Sequence, residues 1–211
     1  MAVEQQEIYR INPIQQVLQI PARIIVDTIF PHQKLDPESQ KNLNKAADMM
    51  EDGYGMLTPT DHFGKSEFGW IYSVLFSHRV FSQRGGLMIL GAHECYWYIR
   101  GFAKTVGVDT MPVVVYEDLP VRGGLESETI LSGMYEFLEA SSKRLAHAGN
   151  ILATPQGHRQ PRLGEAQSTL INDILSTAEE YEDAQKLAVL PIGVGLTGRK
   201  RLIRSIHETI L

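Results

Sequence analysis

His62 and Glu67 stand five residues apart in the stretch from Thr58 to Gly69. A histidine beside a carboxylate can serve as a general base. Two residues five apart on an unbroken helix point about 140° away from each other, so they cannot meet there. They can meet if His62 lies in a loop and Glu67 falls in the first turn of the helix that follows. Gly64, between them, gives the backbone freedom for that bend. One ring N–H of His62 would then be donated to the carboxylate, leaving the other nitrogen free to take a proton. A neighbouring negative charge also raises a histidine pKa, which strengthens the base. The plainer reading is a pair of exposed loop residues.

A second polar cluster runs from Thr154 to Arg159, after the apolar stretch Asn150 to Ala153. Gly157 lets a ligand come close to the backbone, and Arg159 can hold a phosphate or carboxylate through two parallel hydrogen bonds. Arg122 has a similar setting, beyond the apolar stretch Met111 to Tyr116 and followed by Gly123 and Gly124. For each arginine the alternative is a solvated surface side chain. His93 and Cys95 invite a metal or thiol reading, but no paired-cysteine or His-Glu-x-x-His spacing accompanies them, so a structural role is expected and no metal site is predicted.

The elements that must position these groups follow from apolar periodicity and capping residues. Ile11 to Phe30 has near-helical spacing with an interruption expected at Pro21. Its apolar side either packs on the core or touches a bilayer. Asp36, Pro37 and Glu38 open a helix that should run to about Met50 or Glu51 and end at Gly53. Gly55 to Leu57 reads as a short strand, Trp70 to Phe81 as a helix, Gly86 to Leu90 as a strand and Cys95 to Thr105 as a helix. Then come a buried strand at Met111 to Tyr116, a long amphipathic helix from Glu126 to Ala148 and a strand from Asn150 to Ala153. A helix from Ser168 to Glu182 and a strand from Leu187 to Val194 complete the series. Strands alternating with helices predict an α/β fold with a central mixed sheet flanked by helices. Residues 1–52 are expected as a helical segment packed on a single domain spanning 53–211.

Composition bounds the function. The 211 residues carry a net charge of -5, which argues against a nucleic-acid binder working by bulk charge. The one cysteine allows no internal disulfide and fits a reducing compartment. The first residues are polar and acidic where a secretory signal would be basic and then apolar, and no stretch reaches the roughly 20 apolar residues of a membrane span. A cytoplasmic protein is expected, either free or peripheral at a membrane. The basic stretch from Arg199 to Arg204 could face anionic lipid or form a solvated helix face.

The order of the polar clusters resembles the glycerolipid acyltransferase family, which includes lysophosphatidate and glycerol-3-phosphate acyltransferases. That family carries an Asn-His-x-x-x-x-Asp block after a strand. A block ending in arginine follows, then a Pro-Glu-Gly-Thr-Arg block and an apolar strand with proline. The matching segments here are Asp61 to Glu67, Leu119 to Arg122, Thr154 to Arg159 and Val189 to Val194, so the likeness covers about two thirds of the chain. Glu67 stands where the family has aspartate, Asp61 where it has asparagine, Gln156 where it has glutamate and His158 where it has threonine. The resemblance implies His62 as general base, Glu67 orienting its ring, and Arg122, Gln156, Gly157 and Arg159 binding substrate. It further implies an acyl thioester donor, on coenzyme A or acyl carrier protein, as co-substrate and a phosphate-bearing lipid acceptor, with no other cofactor. Two alternatives stand beside it: a catalytically impaired lipid- or thioester-binding protein on the same fold, and a thioester hydrolase.

Overall fold

The structure, a computed structural model, describes residues 8–30, 34–60, 67–91, 97–113, 127–153, 168–182, 184–197 and 200–207. Helix α1 (Pro13–Ile29) opens with a capping box, in which the Asn12 side chain accepts from the Gln15 amide at 2.8 Å and the Gln15 side chain accepts from the Asn12 amide at 3.3 Å. The interruption expected at Pro21 does not occur, and the helix is continuous. Proline removes one hydrogen bond, the one to the Val17 carbonyl, and Val17 is 66% exposed, so water can replace it. Helix α2 (Pro37–Glu51) follows its sequence signals. Asp36 accepts from the Glu38 and Ser39 amides at 3.0 Å each, and the chain leaves at Gly53 with φ 93°.

Strands β1 (Gly55–Pro59), β2 (Gly86–Gly91), β3 (Val108–Val113), β4 (Asn150–Ala153) and β5 (Leu187–Val189) form a five-stranded sheet in the order β3-β2-β4-β1-β5. Every pairing in it is parallel, where a mixed sheet was expected. A helix follows each of β1 to β4 and returns the chain to the same end of the sheet, as parallel pairing requires. Antiparallel pairing is confined to a separate ribbon of β6 (Ile192–Thr197) and β7 (Lys200–Ile206). The coarse expectation of an α/β fold therefore holds, with the sheet type corrected.

The remaining helices are α3 (Glu67–Leu75), α4 (Arg79–Arg84), α5 (Trp97–Thr105), α6 (Ser127–Ala146) and α7 (Ser168–Glu179). Four sequence expectations change. The helix expected over Trp70 to Phe81 is two helices, because His78 adopts extended φ/ψ of -83° and 133° ahead of α4. The strand expected from Leu187 to Val194 is split at Leu190 and Pro191, where proline has no N–H to offer a ladder. The basic stretch near the C-terminus contributes to β7 rather than to a helix face. Strand β3 starts earlier than expected, at Val108, while residues 114–116 lie outside the described residues.

Two apolar cores lie on opposite faces of the sheet, and period-two alternation along the strands creates them. Met56, Met88 and Leu152 join one core, which includes Ala22 and Val26 of α1, Leu43 and Met50 of α2, and Ile71 and Val74 of α3. Their strand neighbours Leu57, Leu87 and Ile151 join the other, with Phe137 and Leu145 of α6 and Ile174 of α7. The connections from β1 to β2 to β3 cross the sheet in one direction, and those from β3 to β4 to β5 cross it in the other. A constant crossover hand puts oppositely directed connections on opposite faces, which is the division the two cores record. The N-terminal helices share the first core with the sheet. Helix α2 also pins the ribbon: Asn42 donates to the Ile206 carbonyl at 2.9 Å, and the Ile206 amide donates to Ser39 Oγ at 3.0 Å.

Candidate functional site

In an open parallel sheet, ligands bind beyond the carboxyl ends of the strands, where neighbouring connections part to opposite faces. Here the connections part between β3 and β2, whose following helices α6 and α5 lie on opposite faces, and again at the end of β4. Its outgoing helix α7 lies on one face, while α3 and α5, which follow the flanking strands β1 and β2, lie on the other. Strand β1 ends beside β4, with Pro59 in register with Ala153. The segments carrying His62 and Gly157 thus leave the sheet from adjacent strands, whose ends are about 5 Å apart.

The base of this platform is tied down. Strand β1 pairs with β4 on one side and β5 on the other, and Met56 and Leu57 are fully buried. The Thr60 amide donates to the Ala153 carbonyl at 2.9 Å, and Thr60 forms a parallel bridge to Ile192 of the ribbon. Thr58 donates its buried hydroxyl to Asn150 Oδ1 at 3.1 Å, joining β1 to β4 through side chains as well as backbone. Sequence reading missed this pair. Its only trace was a polar residue in each of two otherwise apolar strands.

Glu67 is the first residue of α3, so its backbone lies in the first turn of the helix after β1. Its side chain lies outside the described residues, as do His62, Arg122, Gln156, Gly157 and Arg159 entirely. His93 and Cys95 do so as well. Arg122 follows β3, an edge strand separated from β1 by β2 and β4. The end of β3 is therefore three strand spacings, about 14 Å, from the end of β1. The nine residue steps from Val113 to Arg122 could span about 30 Å if extended, so the topology permits Arg122 to reach the centre without requiring it. Arg159 needs no such reach, since its segment leaves from β4.

The amino end of the sheet has a different character. Arg144 of α6 pairs with Asp109 of β3 at 2.8 Å, and its guanidinium lies 4.0 Å from the ring centre of Tyr9. The Tyr9 hydroxyl donates to the same Asp109 carboxylate at 3.1 Å, and its backbone amide donates to the His147 carbonyl at 2.7 Å. Burial pushes the Tyr9 phenol above its ordinary pKa, the nearby Arg144 charge opposing the shift, so the ring stays neutral at physiological pH. Arg84 donates to the Met50 and Tyr9 carbonyls, at 3.2 and 3.4 Å, and burial lowers it to about 10, which leaves it charged at neutral pH. A cleft of about 620 Å³ opens here between Tyr9, Asp109, Lys143 and Arg144. Asp109 and Arg144 there are engaged in holding Tyr9 against the sheet, and the cleft lies at the end opposite the converging strand termini.

Among the described residues, no group of three or more His, Cys, Asp or Glu side chains could hold a metal ion, and no helix is long and apolar enough to cross a membrane. No protein-family model matches the chain, and no curated protein is detectably similar to it.

Proposed function

We propose that the chain is an acyltransferase, moving an acyl group from a thioester donor to a hydroxyl of a glycerophosphate or lysophospholipid. The observation that supports this best is the parallel, in-register adjacency of β1 and β4, which starts the His62 and Arg159 segments side by side. The order of the four polar blocks agrees with that reading. His62 takes the proton of the acceptor hydroxyl, and Glu67 orients the imidazole and stabilises its charged form. The acceptor oxygen attacks the thioester carbonyl, and the tetrahedral adduct collapses with loss of the thiolate. The thiolate then takes the proton from His62, so no enzyme nucleophile is consumed. Arg159, joined by Arg122, holds the acceptor phosphate, while Gln156 and Gly157 line its approach. Holding two substrates in one orientation supplies much of the rate.

The test is to incubate the purified protein with acyl-coenzyme A species and with glycerol 3-phosphate or lysophosphatidate, following thiol release and analysing the lipids by mass spectrometry. His62→Ala should lower transfer about 10²- to 10⁴-fold, the range of general base catalysis, without changing the melting temperature. Undiminished turnover in that variant would remove the assignment. Thiol release that needs no acceptor would identify a hydrolase instead, and thioester binding without turnover a binding protein.

A further inference from the structure

Helix α1 turns most of its large apolar side chains away from the body of the molecule. Ile14, Val17, Ile20, Ile24, Ile25 and Ile29 are 51% to 73% exposed, and Leu18 is 44% exposed. The side facing inward holds Gln19, Ala22 and Val26. At 100° per residue the exposed set fills about half the helix circumference. No charged residue falls within that arc. Its one hydroxyl, on Thr28, is already donated to the Ile24 carbonyl at 2.7 Å. Surface apolar residues on a monomer are normally scattered singly, whereas here seven large ones share one face of one helix.

We propose that this face is where a second copy of the chain docks, α1 against α1 about a two-fold axis. Three observations favour that occupant. A face of seven large apolar side chains is of the scale that a standard interface needs, about 800 Å² per partner. Ile14, Leu18, Pro21, Ile25 and Thr28 lie within the arc at intervals of four, three, four and three, the spacing of helices that interlock side by side, with Ile14, Leu18 and Ile25 as its large apolar members. An uncharged face is also complementary to itself, as a two-fold contact demands. A bilayer fits less well. Helices that lie on lipid carry lysine and arginine at the edge of the apolar face and aromatic rings within it. Helix α1 has no lysine and no aromatic residue, its one arginine, Arg23, is paired with Asp27 at 3.6 Å, and the chain has a net charge of -5. The inference stands apart from the acyltransferase reading and uses none of its residues.

Sedimentation velocity of the full chain over about 1 to 100 µM, together with flotation on vesicles of phosphatidylcholine with phosphatidylglycerol, tests it. The expected species has twice the 23.7 kDa chain mass. Ile25→Glu should weaken self-association at least about thirtyfold, the scale of a central interface residue. Ile25 is half exposed, so the variant should keep the wild-type melting curve when dilute. Ile24→Lys, on the same face, repeats the test with the opposite charge. A wild type that stays monomeric throughout overturns the proposal, as does a dimer that both variants leave intact. A monomer that floats with vesicles and loses this in Ile25→Glu also overturns it, in favour of lipid.

Discussion

Helices α1 and α2 follow one another in the chain and begin with the same devices, a side-chain N-cap with proline at the first helical position. Both carry apolar residues at helical spacing. Yet α2 sends its apolar side inward, with Leu43, Ala46 and Met50 almost wholly enclosed, whereas α1 sends its isoleucines outward and rests on Gln19, Ala22 and Val26. Periodicity states that a helix has an apolar face, and it does not state what will cover it. Beside the small apolar contact of Ala22 and Val26, what holds α1 inward is polar. Gln19 donates to the Ser82 and Val106 carbonyls, at 3.1 and 2.9 Å, and accepts from the Ser82 hydroxyl at 3.0 Å. The helix is thus fastened by hydrogen bonds on one side and left with apolar surface on the other.

The difference is open to direct challenge. Met50→Ala should cost about 2–5 kcal/mol in urea unfolding, because the side chain is fully enclosed and leaves a cavity. Ile24→Ala, at 65% exposure, should stay within about 0.5 kcal/mol of wild type at concentrations where the chain is monomeric. Equal losses in the two variants would erase the contrast. Gln19→Leu should cost about 1–3 kcal/mol, since the Ser82 groups lose their partner, and amide exchange in α1 should speed up. If exchange is unaltered, Gln19 is not the fastening.

Gly107 sharpens the same point. It has φ 84°, and a Cβ added there would collide with the Gln19 side-chain amide. Gly107→Ala should therefore cost about 1–2 kcal/mol from the backbone alone, with a steric part added. In a Gln19→Ala background only the steric part should disappear, which a double-mutant cycle can measure.

The smallest effect concerns the cap of α2. Hydrogen bonds from the Ser39 side chain and from the Ser39 and Glu38 amides hold the Asp36 carboxyl below its ordinary pKa. A depressed carboxyl stabilises the fold above its unfolded pKa, and that contribution is lost as pH falls through the folded value. Between about pH 5 and pH 3 the melting temperature of the wild type should fall more than that of Asp36→Asn, which keeps the cap but does not titrate. Parallel declines would mean that the charge of Asp36 adds nothing to the cap.

Much of the fold was legible in advance where local chemistry decides it. Asp36 and Gly53 bracket α2, and Asn150 to Ala153 is β4 residue for residue. Reading failed where a local signal had a non-local outcome. Pro21 was expected to interrupt α1, but the bond it removes faces water. His78 and Pro191 divide elements that apolar content alone had joined. Of the candidate site, the sequence supplied residue types and their order, and the sheet supplied the adjacency of β1 and β4. Ninety-four positions of chain separate Pro59 of β1 from its partner Ala153 of β4, so no local pattern could show that these strands are neighbours.

By itself the sequence determined that this is an α/β chain, where several helices begin and end, and which segments carry groups able to move a proton or hold a phosphate. Those properties depend on backbone preference, capping and side-chain chemistry within a few residues. Tertiary structure alone decided that every pairing in the main sheet is parallel, that the connections part at the end of β4, and that α1 faces outward. Each of these depends on which distant surfaces meet. Strand order and helix orientation minimise the exposed area of the whole molecule, a quantity that no short stretch of sequence contains.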